Sequence, residues 1–302
     1  MYNGIINIYK EAGFTSHDVV AKMRGILKQK KIGHTGTLDP AAVGVLPVCL
    51  GTGTRLCDML TEHDKEYEAV LLLGVETDTQ DTTGTVLQER EVACTEDEVR
   101  RAVMSFLGDY DQIPPMYSAL KVDGKKLYEL ARAGREVERQ ARPVRIQEIE
   151  ILRMELPRVT MRVACSKGTY IRTLCHDIGA QLGCGGAMEA LKRTRVGQFT
   201  VDQAITLGQL EALRDAGRVA EQVISVDAVF GELPAVHVKD ENLKLIENGN
   251  AFAAAQVLEP ELCGSGRVRV YDEAGRFYGV YGYDSVRRRM QPVKMFLSRG
   301  EE

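Results

Sequence analysis

Segments typical of strands and segments typical of helices follow one another along this chain without the regular alternation of a parallel α/β protein. Short runs rich in β-branched residues favour strands, and amphipathic runs that follow a capping residue favour helices. The strand-like segments are 3–9, 43–50, 67–73, 84–88, 144–154, 159–165 and 187–200, and the helix-like segments are 15–30, 54–64, 95–107, 125–134, 169–182 and 206–217. This order predicts an α+β fold, with a mixed, mainly antiparallel sheet and flanking helices.

A second, smaller unit is predicted after the boundary at Leu233-Pro234. Beyond it the pattern favours a short strand, a short helix at 241–247 and three further strands at 267–271, 277–281 and 293–297. About seventy residues of this kind are enough for an independent β-rich domain. The sequence therefore predicts two domains, residues 1–233 and residues 234–302.

The composition is that of a soluble globular protein, with 44% hydrophobic and 27% charged residues among 302. The longest apolar stretch, 41–50, is too short to span a bilayer, and the amino terminus lacks the pattern of a signal peptide. The seven cysteines are widely spaced, without a Cys-x-x-Cys pair, which argues against a zinc site and a disulfide framework. We expect reduced thiols, a cytoplasmic location and no membrane association.

The net charge of −4 argues mildly against a nucleic-acid partner, yet the basic residues are unevenly distributed. They form four groups: Lys22, Arg24, Lys28, Lys30 and Lys31; Lys121, Lys125, Lys126, Arg132, Arg135, Arg139, Arg142 and Arg145; Lys192, Arg193 and Arg195; and Arg287, Arg288, Arg289 and Lys294. Any one group is most simply a solvated surface. Four of them in an acidic protein favour contacts with phosphates, which would make binding salt-dependent.

Residues 33–40 read GHTGTLDP and isolate one carboxylate, Asp39, in a segment rich in Gly and Thr. Pro40 fixes its own φ angle and disfavours the α region for Asp39. Gly33 and Gly36 permit backbone angles and close approaches that other residues forbid. Asp is common in ordinary turns, so the local pattern alone leaves two readings open: a turn, and a carboxylate held in place for chemistry.

The longer stretch decides between them, because residues 33–55, GHTGTLDPAAVGVLPVCLGTGTR, closely resemble an active-site motif. The motif is that of the TruB family, the pseudouridine synthases that modify uridine 55 in the T loop of tRNA. Four more segments match this family in order, DKEYEAVLLLG at 64–74, TDTQDTTG at 77–84, PPMYSALKVDGKKLYELARAG at 114–134 and CSKGTYIRTL at 165–174. The resemblance implies the pseudouridine synthase fold, and the pattern of the carboxy-terminal unit loosely resembles the PUA domain that follows it in the family.

The resemblance also assigns roles to individual residues. Asp39 matches the family's catalytic aspartate, and Arg172 matches the arginine that pairs with it and keeps it ionised. Tyr67 matches an aromatic residue that stacks on the extruded uracil, and its hydroxyl is a candidate for proton transfer. His34 matches the residue that inserts into the T loop. The remaining predicted substrate-binding residues are Tyr170, Leu191, Lys10 and Lys121.

Pseudouridine formation breaks a C–N glycosidic bond, turns the uracil and rejoins it through carbon. One nucleophilic carboxylate is the expected tool, and the base must first leave its stack. Because there is no net redox change, we expect neither a cofactor nor a metal. The expected partner is tRNA, through its T arm and with the acceptor stem as a further contact, and we expect a monomer without an obligatory protein partner.

One position departs from the family, whose usual motif near the amino terminus is Lys-Pro-x-Gly-x-Thr-Ser. Here residues 10–16 read KEAGFTS, so that Glu11 stands where the family has proline. The proline would fix φ, and Glu11 adds negative charge near the expected RNA surface. We therefore expect somewhat weaker RNA affinity.

Two other functional readings remain open at this stage. An RNA-binding module or tRNA-folding chaperone could use the basic groups without catalysis, alone or alongside an enzymatic role. A glycoside hydrolase would need two carboxylates placed across one bond. Asp78 and Asp81 are partners for Asp39 only if the fold brings them near it.

Overall fold

The computed structural model describes residues 1–122 and 124–297. The strands are β1 (Gly4–Lys10), β2 (Ile32–His34), β3 (Val43–Leu50), β4 (Lys65–Leu73), β5 (Val75–Thr77), β6 (Val86–Glu89), β7 (Gly108–Gln112), β8 (Lys121–Val122), β9 (Lys125–Lys126), β10 (Arg142–Glu155), β11 (Arg158–Cys165), β12 (Gly186–Val196), β13 (Phe199–Thr200), β14 (Ala235–Val238), β15 (Arg267–Asp272), β16 (Phe277–Asp284) and β17 (Arg289–Met295). The helices are α1 (Ser16–Leu27), α2 (Cys57–Thr61), α3 (Glu96–Met104), α4 (Leu127–Arg132), α5 (Ile171–Gln181), α6 (Leu207–Asp215) and α7 (Leu243–Glu247).

A large sheet of nine strands, counted over the described residues, organises the molecule. Its main order is β1-β3-β12-β4-β11-β10-β7, with β2 paired to β3 and β13 paired to β12. The one parallel pairing recorded in this sheet joins β12 to β3, and the other pairings are antiparallel. This arrangement confirms the predicted α+β class and the mainly antiparallel sheet.

Helices cover the sheet where the amphipathic pattern predicted them. Thr95 with Glu98 and Thr206 with Gln209 form capping boxes at the starts of α3 and α6, with each threonine side chain accepting a hydrogen bond from the backbone of the third helical residue. The expected helix at 54–64 is instead a 3-10 helix, Gly51–Leu56, followed by the short α2.

Helix α5 lies very close to β12 because both carry glycine at their contact. A Cβ atom on Gly179 would lie 2.1 Å from the backbone nitrogen of Gly186, so no larger residue fits there. The helix is also anchored by buried Leu174 and Ile178, which belong to the core beneath the sheet. This packing fixes the start of α5, where Tyr170 and Arg172 lie, relative to the centre of the sheet.

A separate sheet of order β14-β15-β16-β17 forms the carboxy-terminal unit. The predicted strand at 293–297 begins earlier, at Arg289, because its first residues pair with Tyr283 and Asp284 at the end of β16. Phe277 and Phe296 stack and contact Phe230 of the preceding segment, which joins this unit to the large sheet through a shared apolar cluster. The domain boundary at residue 233 and the PUA likeness stay predictions, and residues 298–302 lie outside the described residues.

Candidate active site

Asp39 lies on the loop between β2 and β3, and polar contacts fix this loop on both sides of the carboxylate. The backbone nitrogen of Leu38 donates to Ser16 Oγ at 2.9 Å. The nitrogen of Ala42 donates to the Asp39 carbonyl at 3.1 Å, which closes the turn that Pro40 begins. The Asp39 side chain keeps 37% of its surface exposed. The loop therefore presents a fixed carboxylate at an open surface.

Arg172 faces this carboxylate from the first turn of α5. Its Nε lies 2.9 Å from Asp39 Oδ2, and its Nη2 lies 3.4 Å from Asp39 Oδ1. The guanidinium also donates to the carbonyls of Thr79 at 3.0 Å and Tyr117 at 2.8 Å, and only 6% of the side chain is exposed. A two-point contact between a planar guanidinium and a carboxylate fixes direction as well as distance.

The charges around Asp39 oppose one another. Burial raises the pKa of the Asp39 carboxyl, the Arg172 guanidinium lowers it, and the carboxylate of Asp81 raises it again, so that the net direction is upward. Asp81 Oδ2 lies 3.8 Å from Arg172 Nε. Arg172 therefore lies between two carboxylates, and it supplies the largest of the effects that keep Asp39 ionised.

Asp81 belongs to the loop TDTQDTTG, which the resemblance matched as a whole without assigning a role to this residue. Its Oδ1 accepts hydrogen bonds from the hydroxyls of Thr79 at 2.8 Å and Thr83 at 2.5 Å. The repeated threonines beside an aspartate are the sequence signal for such a self-bonded loop. Pairing with Arg172 depends on the tertiary fold, which the pattern does not contain.

The two predicted aromatic residues are both largely buried. Tyr67 on β4 is 8% exposed, and burial raises the pKa of its hydroxyl to about 12. Tyr170 precedes α5, and its backbone nitrogen and oxygen are both bonded by the amide of buried Gln112, at 2.7 and 3.0 Å. Gln112 was not among the predicted residues, although it determines where Tyr170 lies.

His34 ends β2, and its ring packs edge-on against His17 with centroids 5.2 Å apart. Burial lowers the pKa of His34 and so favours the neutral ring. Leu191 on β12 packs against the core that contains Leu38 and Tyr67. Lys121 is exposed on the separate two-stranded sheet β8–β9 and makes no recorded contact with the Asp39 pair among the described residues.

Lys10 differs from its predicted position on a substrate-binding surface. The side chain is fully buried, and its Nζ donates to the carbonyls of Glu11 at 3.1 Å, Pro40 at 3.2 Å and Ala42 at 2.6 Å. Burial lowers its pKa to about 8. Because its donors point into the Asp39 loop, Lys10 supports that loop instead of contacting a ligand.

Lys10→Met should reduce stability and activity together, since the loop carbonyls lose their donor. We expect the free energy of unfolding to fall by about 2 kcal/mol and the rate of chemistry to fall about 10- to 100-fold. The unfolded chain holds the Lys10 proton more tightly than the folded one, so the parent gains stability as the pH rises from about 8 to 10.5. Urea unfolding across this range should show a larger gain in the parent and in the exposed-site control Lys30→Met than in Lys10→Met, which keeps only the contribution of Lys65, whose pKa burial also lowers to about 8.

The third basic group is likewise not a uniform surface. Arg193 is 2% exposed, whereas its neighbours Lys192 and Arg195 are partly exposed. Reading all three as solvated is therefore wrong for Arg193. A β-bulge between Arg193 and Arg195 breaks the simple alternation of the strand, so the pattern of charges does not reveal which side chain points inward.

Two other structural observations bear on function. Within the described residues, no three His, Cys, Asp or Glu side chains are grouped closely enough to hold a metal ion. No helix in the same part of the chain combines the length and apolar character needed to cross a bilayer.

Comparison with solved structures defines the class of the fold. The chain aligns over 98% of its length with a protein in a Cbf5-Nop10-Gar1 complex, at a TM-score of 0.73 and 28% identity, covering 85% of that chain. It aligns equally far with a protein in an H/ACA RNP bound to a substrate RNA containing 2'-deoxyuridine, at 0.72 and 26%, covering 86% of that chain. The fold is therefore the mixed α+β fold of the pseudouridine synthases.

Sequence comparison identifies the family. Residues 24–171 match the description "TruB family pseudouridylate synthase (N terminal domain)", and residues 172–230 match "tRNA pseudouridylate synthase B C-terminal domain". The tRNA pseudouridine synthase B of Lachnoclostridium phytofermentans is 52% identical, covering 98% of this chain and all of the relative. That of Clostridium novyi is 47% identical, covering 92% and 94%. The chain belongs to the TruB family of pseudouridine synthases, and it is an isomerase.

Proposed function

We propose that this enzyme isomerises uridine 55 in the T loop of tRNA to pseudouridine, with Asp39 as the nucleophile on a flipped-out base. The observation that carries the proposal is the Asp39 carboxylate, which is held by the buried Arg172 guanidinium yet keeps 37% of its surface exposed. The tRNA substrate is supported by two relatives, 52% and 47% identical to this chain, that are named tRNA pseudouridine synthase B.

In the proposed reaction the extruded uracil stacks on Tyr67 and lies within reach of Asp39. Attack by the carboxylate releases the bond between N1 and the ribose, the base turns, and a bond from C5 to C1′ replaces it. The proton leaves C5 and N1 gains one, so atoms and electrons balance without a cofactor. Attack on the base, attack on the sugar and a glycal route each fit one carboxylate.

Several further assignments belong to this proposal. His34 fills space left in the T loop by the extruded base, Tyr170 and Leu191 line the uracil pocket, and Lys121 contacts the RNA backbone. Residues 1–233 catalyse the reaction, and residues 234–302 form a PUA-like domain that contacts the acceptor end. We propose that the enzyme acts in the cytoplasm as a monomer without an obligatory protein partner.

The test is an incubation of the purified protein with an unmodified tRNA transcript, followed by chemical labelling of pseudouridine and primer extension. One new stop at the T-loop uridine is the expected result. A second transcript, in which that uridine is replaced by cytidine, should give no stop. Stops elsewhere, or none at saturating protein, would contradict the proposed site.

Glu11 offers a smaller prediction on the same substrate. Because Glu11 is exposed at the end of β1, removing its charge near the proposed RNA surface should strengthen tRNA binding about two- to fivefold at low salt. We expect this from Glu11→Pro, measured by filter binding across salt concentrations. Glu11→Gln removes the charge without fixing φ, so it separates the two causes. Unchanged affinity in both variants would show that this charge does not face the RNA.

A further inference from the structure

Arg193 is a buried cation at the centre of the large sheet for which neither the family resemblance nor the proposed reaction provides a role. Its Nε donates to the Val45 carbonyl at 2.8 Å, and its Nη1 lies 3.4 Å from the Thr37 carbonyl. Both recorded acceptors are backbone carbonyls instead of a carboxylate. Because a buried guanidinium without a charge partner is costly to maintain, its presence calls for an explanation.

The position of Arg193 in the sheet places it beside Tyr67. The two residues are direct cross-strand partners on β12 and β4, and Gly44 of β3 is paired with Arg193 on the other side. Directly opposed side chains share one face of a sheet and are close enough to interact. Burial raises the pKa of the Tyr67 hydroxyl, and the positive charge of Arg193 is the largest of the effects that lower it.

Gly44 is the residue that makes this arrangement fit. Its φ is +106°, and a Cβ atom there would lie 2.2 Å from the Arg193 carbonyl oxygen. The glycine therefore lets β3 approach β12 closely. This approach brings the carbonyl of Val45, the next residue, within reach of the guanidinium.

The same guanidinium also reaches the loop that carries Asp39. Thr37 precedes Asp39 by two residues and Val45 lies in the strand that follows the loop, so Arg193 contacts the backbone before and after the carboxylate. The third nitrogen, Nη2, is buried and has no hydrogen-bond partner among the described residues. It is the donor that remains available to the Tyr67 oxygen.

We propose that Arg193 is a positioning residue that sets the Tyr67 hydroxyl and the Asp39 carboxylate relative to each other through one planar group. The inference rests on the proposed function, since it assumes that both side chains act on one uridine. An arginine suits this task because its rigid fork reaches several acceptors at once, whereas lysine offers a single point charge.

The test compares Arg193→Met and Arg193→Lys with Arg158→Met, a control in the same sheet whose exposed side chain pairs with Glu189. We expect Arg193→Met to slow single-turnover pseudouridine formation about 100-fold, with tRNA affinity changed less than threefold. Arg193→Lys should recover part of the rate, and Arg158→Met should match the parent. In a Tyr67→Phe background, Arg193→Met should add less than about threefold, because the two residues act as a unit.

A purely structural role predicts something different. Losses that multiply in the Tyr67→Phe background, or a rate that falls only in proportion to the fraction folded in urea unfolding, would overturn the inference. If Arg193→Met does not fold, the same comparison is made with Arg193→Lys, which keeps the charge and loses the fork.

One readout does not depend on activity. In protein labelled at the tyrosine ζ carbon, with the Tyr67 signal assigned through Tyr67→Phe, the Tyr67 resonance should move in Arg193→Met and stay in place in Arg158→Met. An unmoved signal would overturn the inference even in an active enzyme. If the parent makes no pseudouridine but the Tyr67 signal still moves in Arg193→Met, the contact between the two residues is supported and the proposed function is contradicted.

Discussion

Replacing Asp39 with asparagine is expected to reduce pseudouridine formation by about 10⁴-fold or more, while tRNA affinity changes less than about threefold. Asparagine keeps the shape of the side chain and retains an oxygen for Arg172, but its amide cannot act as a nucleophile. The measurement is single-turnover modification of a tRNA transcript, with binding measured separately on the same preparation.

Stability separates this loss from misfolding. Since burial raises the pKa of Asp39 above that of a free carboxyl, the folded state disfavours its ionised form at neutral pH. A neutral side chain removes that cost, so Asp39→Asn should unfold at an equal or higher urea concentration than the parent. Asp58→Asn, which changes an exposed carboxylate on α2, should leave both rate and stability unchanged.

The same variant separates an enzymatic role of the protein from a tRNA-folding role that needs RNA binding alone. If Asp39→Asn still assists tRNA folding as well as the parent does, a chaperone role coexists with the enzymatic one. If Asp39→Asn modifies the tRNA transcript as completely as the parent does, Asp39 is not the nucleophile, because the variant lacks that carboxylate.

The sequence was sufficient to predict the fold class and the segment that carries Asp39, because both depend on local order. Capping pairs, strand-length apolar runs and the turn residues around Asp39 act within a few positions of one another. The capping boxes at Thr95 and Thr206 form as such local rules predict. Family resemblance, not local pattern, brought Arg172 into the prediction.

The parts that sequence did not predict are the buried polar contacts between distant segments. Lys10 and Arg193 stand in the sequence like surface cations, and only the tertiary fold places carbonyls of the Asp39 loop around them. Lys10 ends a strand whose other residues are nearly all buried, and this position was a signal for its burial that the grouping of charges does not contain. Asp81 reaches Arg172 from a position 91 residues earlier in the chain, beyond any local rule.

Arg172→Met is the second variant for which we expect a large loss of activity, because it leaves Asp39 and Asp81 without the cation that lies between them. Of the effects on the Asp39 pKa, the guanidinium is the largest that lowers it, while burial and Asp81 raise it. The pKa of Asp39 should therefore rise further, and the ionised fraction at a given pH should fall. We expect the rate at neutral pH to drop about 100- to 1,000-fold.

The pH dependence gives this prediction its direction. A rate that requires ionised Asp39 falls as the pH drops through the pKa of that carboxyl, so Arg172→Met should move the acid limb of the pH–rate profile to higher pH. The free energy of unfolding should also fall by about 3 kcal/mol, since the carbonyls of Thr79 and Tyr117 lose their donor as well.

The matched control is Arg158→Met, which removes a similar bidentate contact with Glu189 at a solvent-exposed position of the sheet. An exposed pair of this kind contributes about 1 kcal/mol or less, so the control should keep both its rate and its pH profile. Arg172→Lys retains a charge without the fork and should fall between Arg172→Met and the parent. If the acid limb stays where it is in both Arg172 variants while the rate falls, Arg172 orients Asp39 without governing its ionisation.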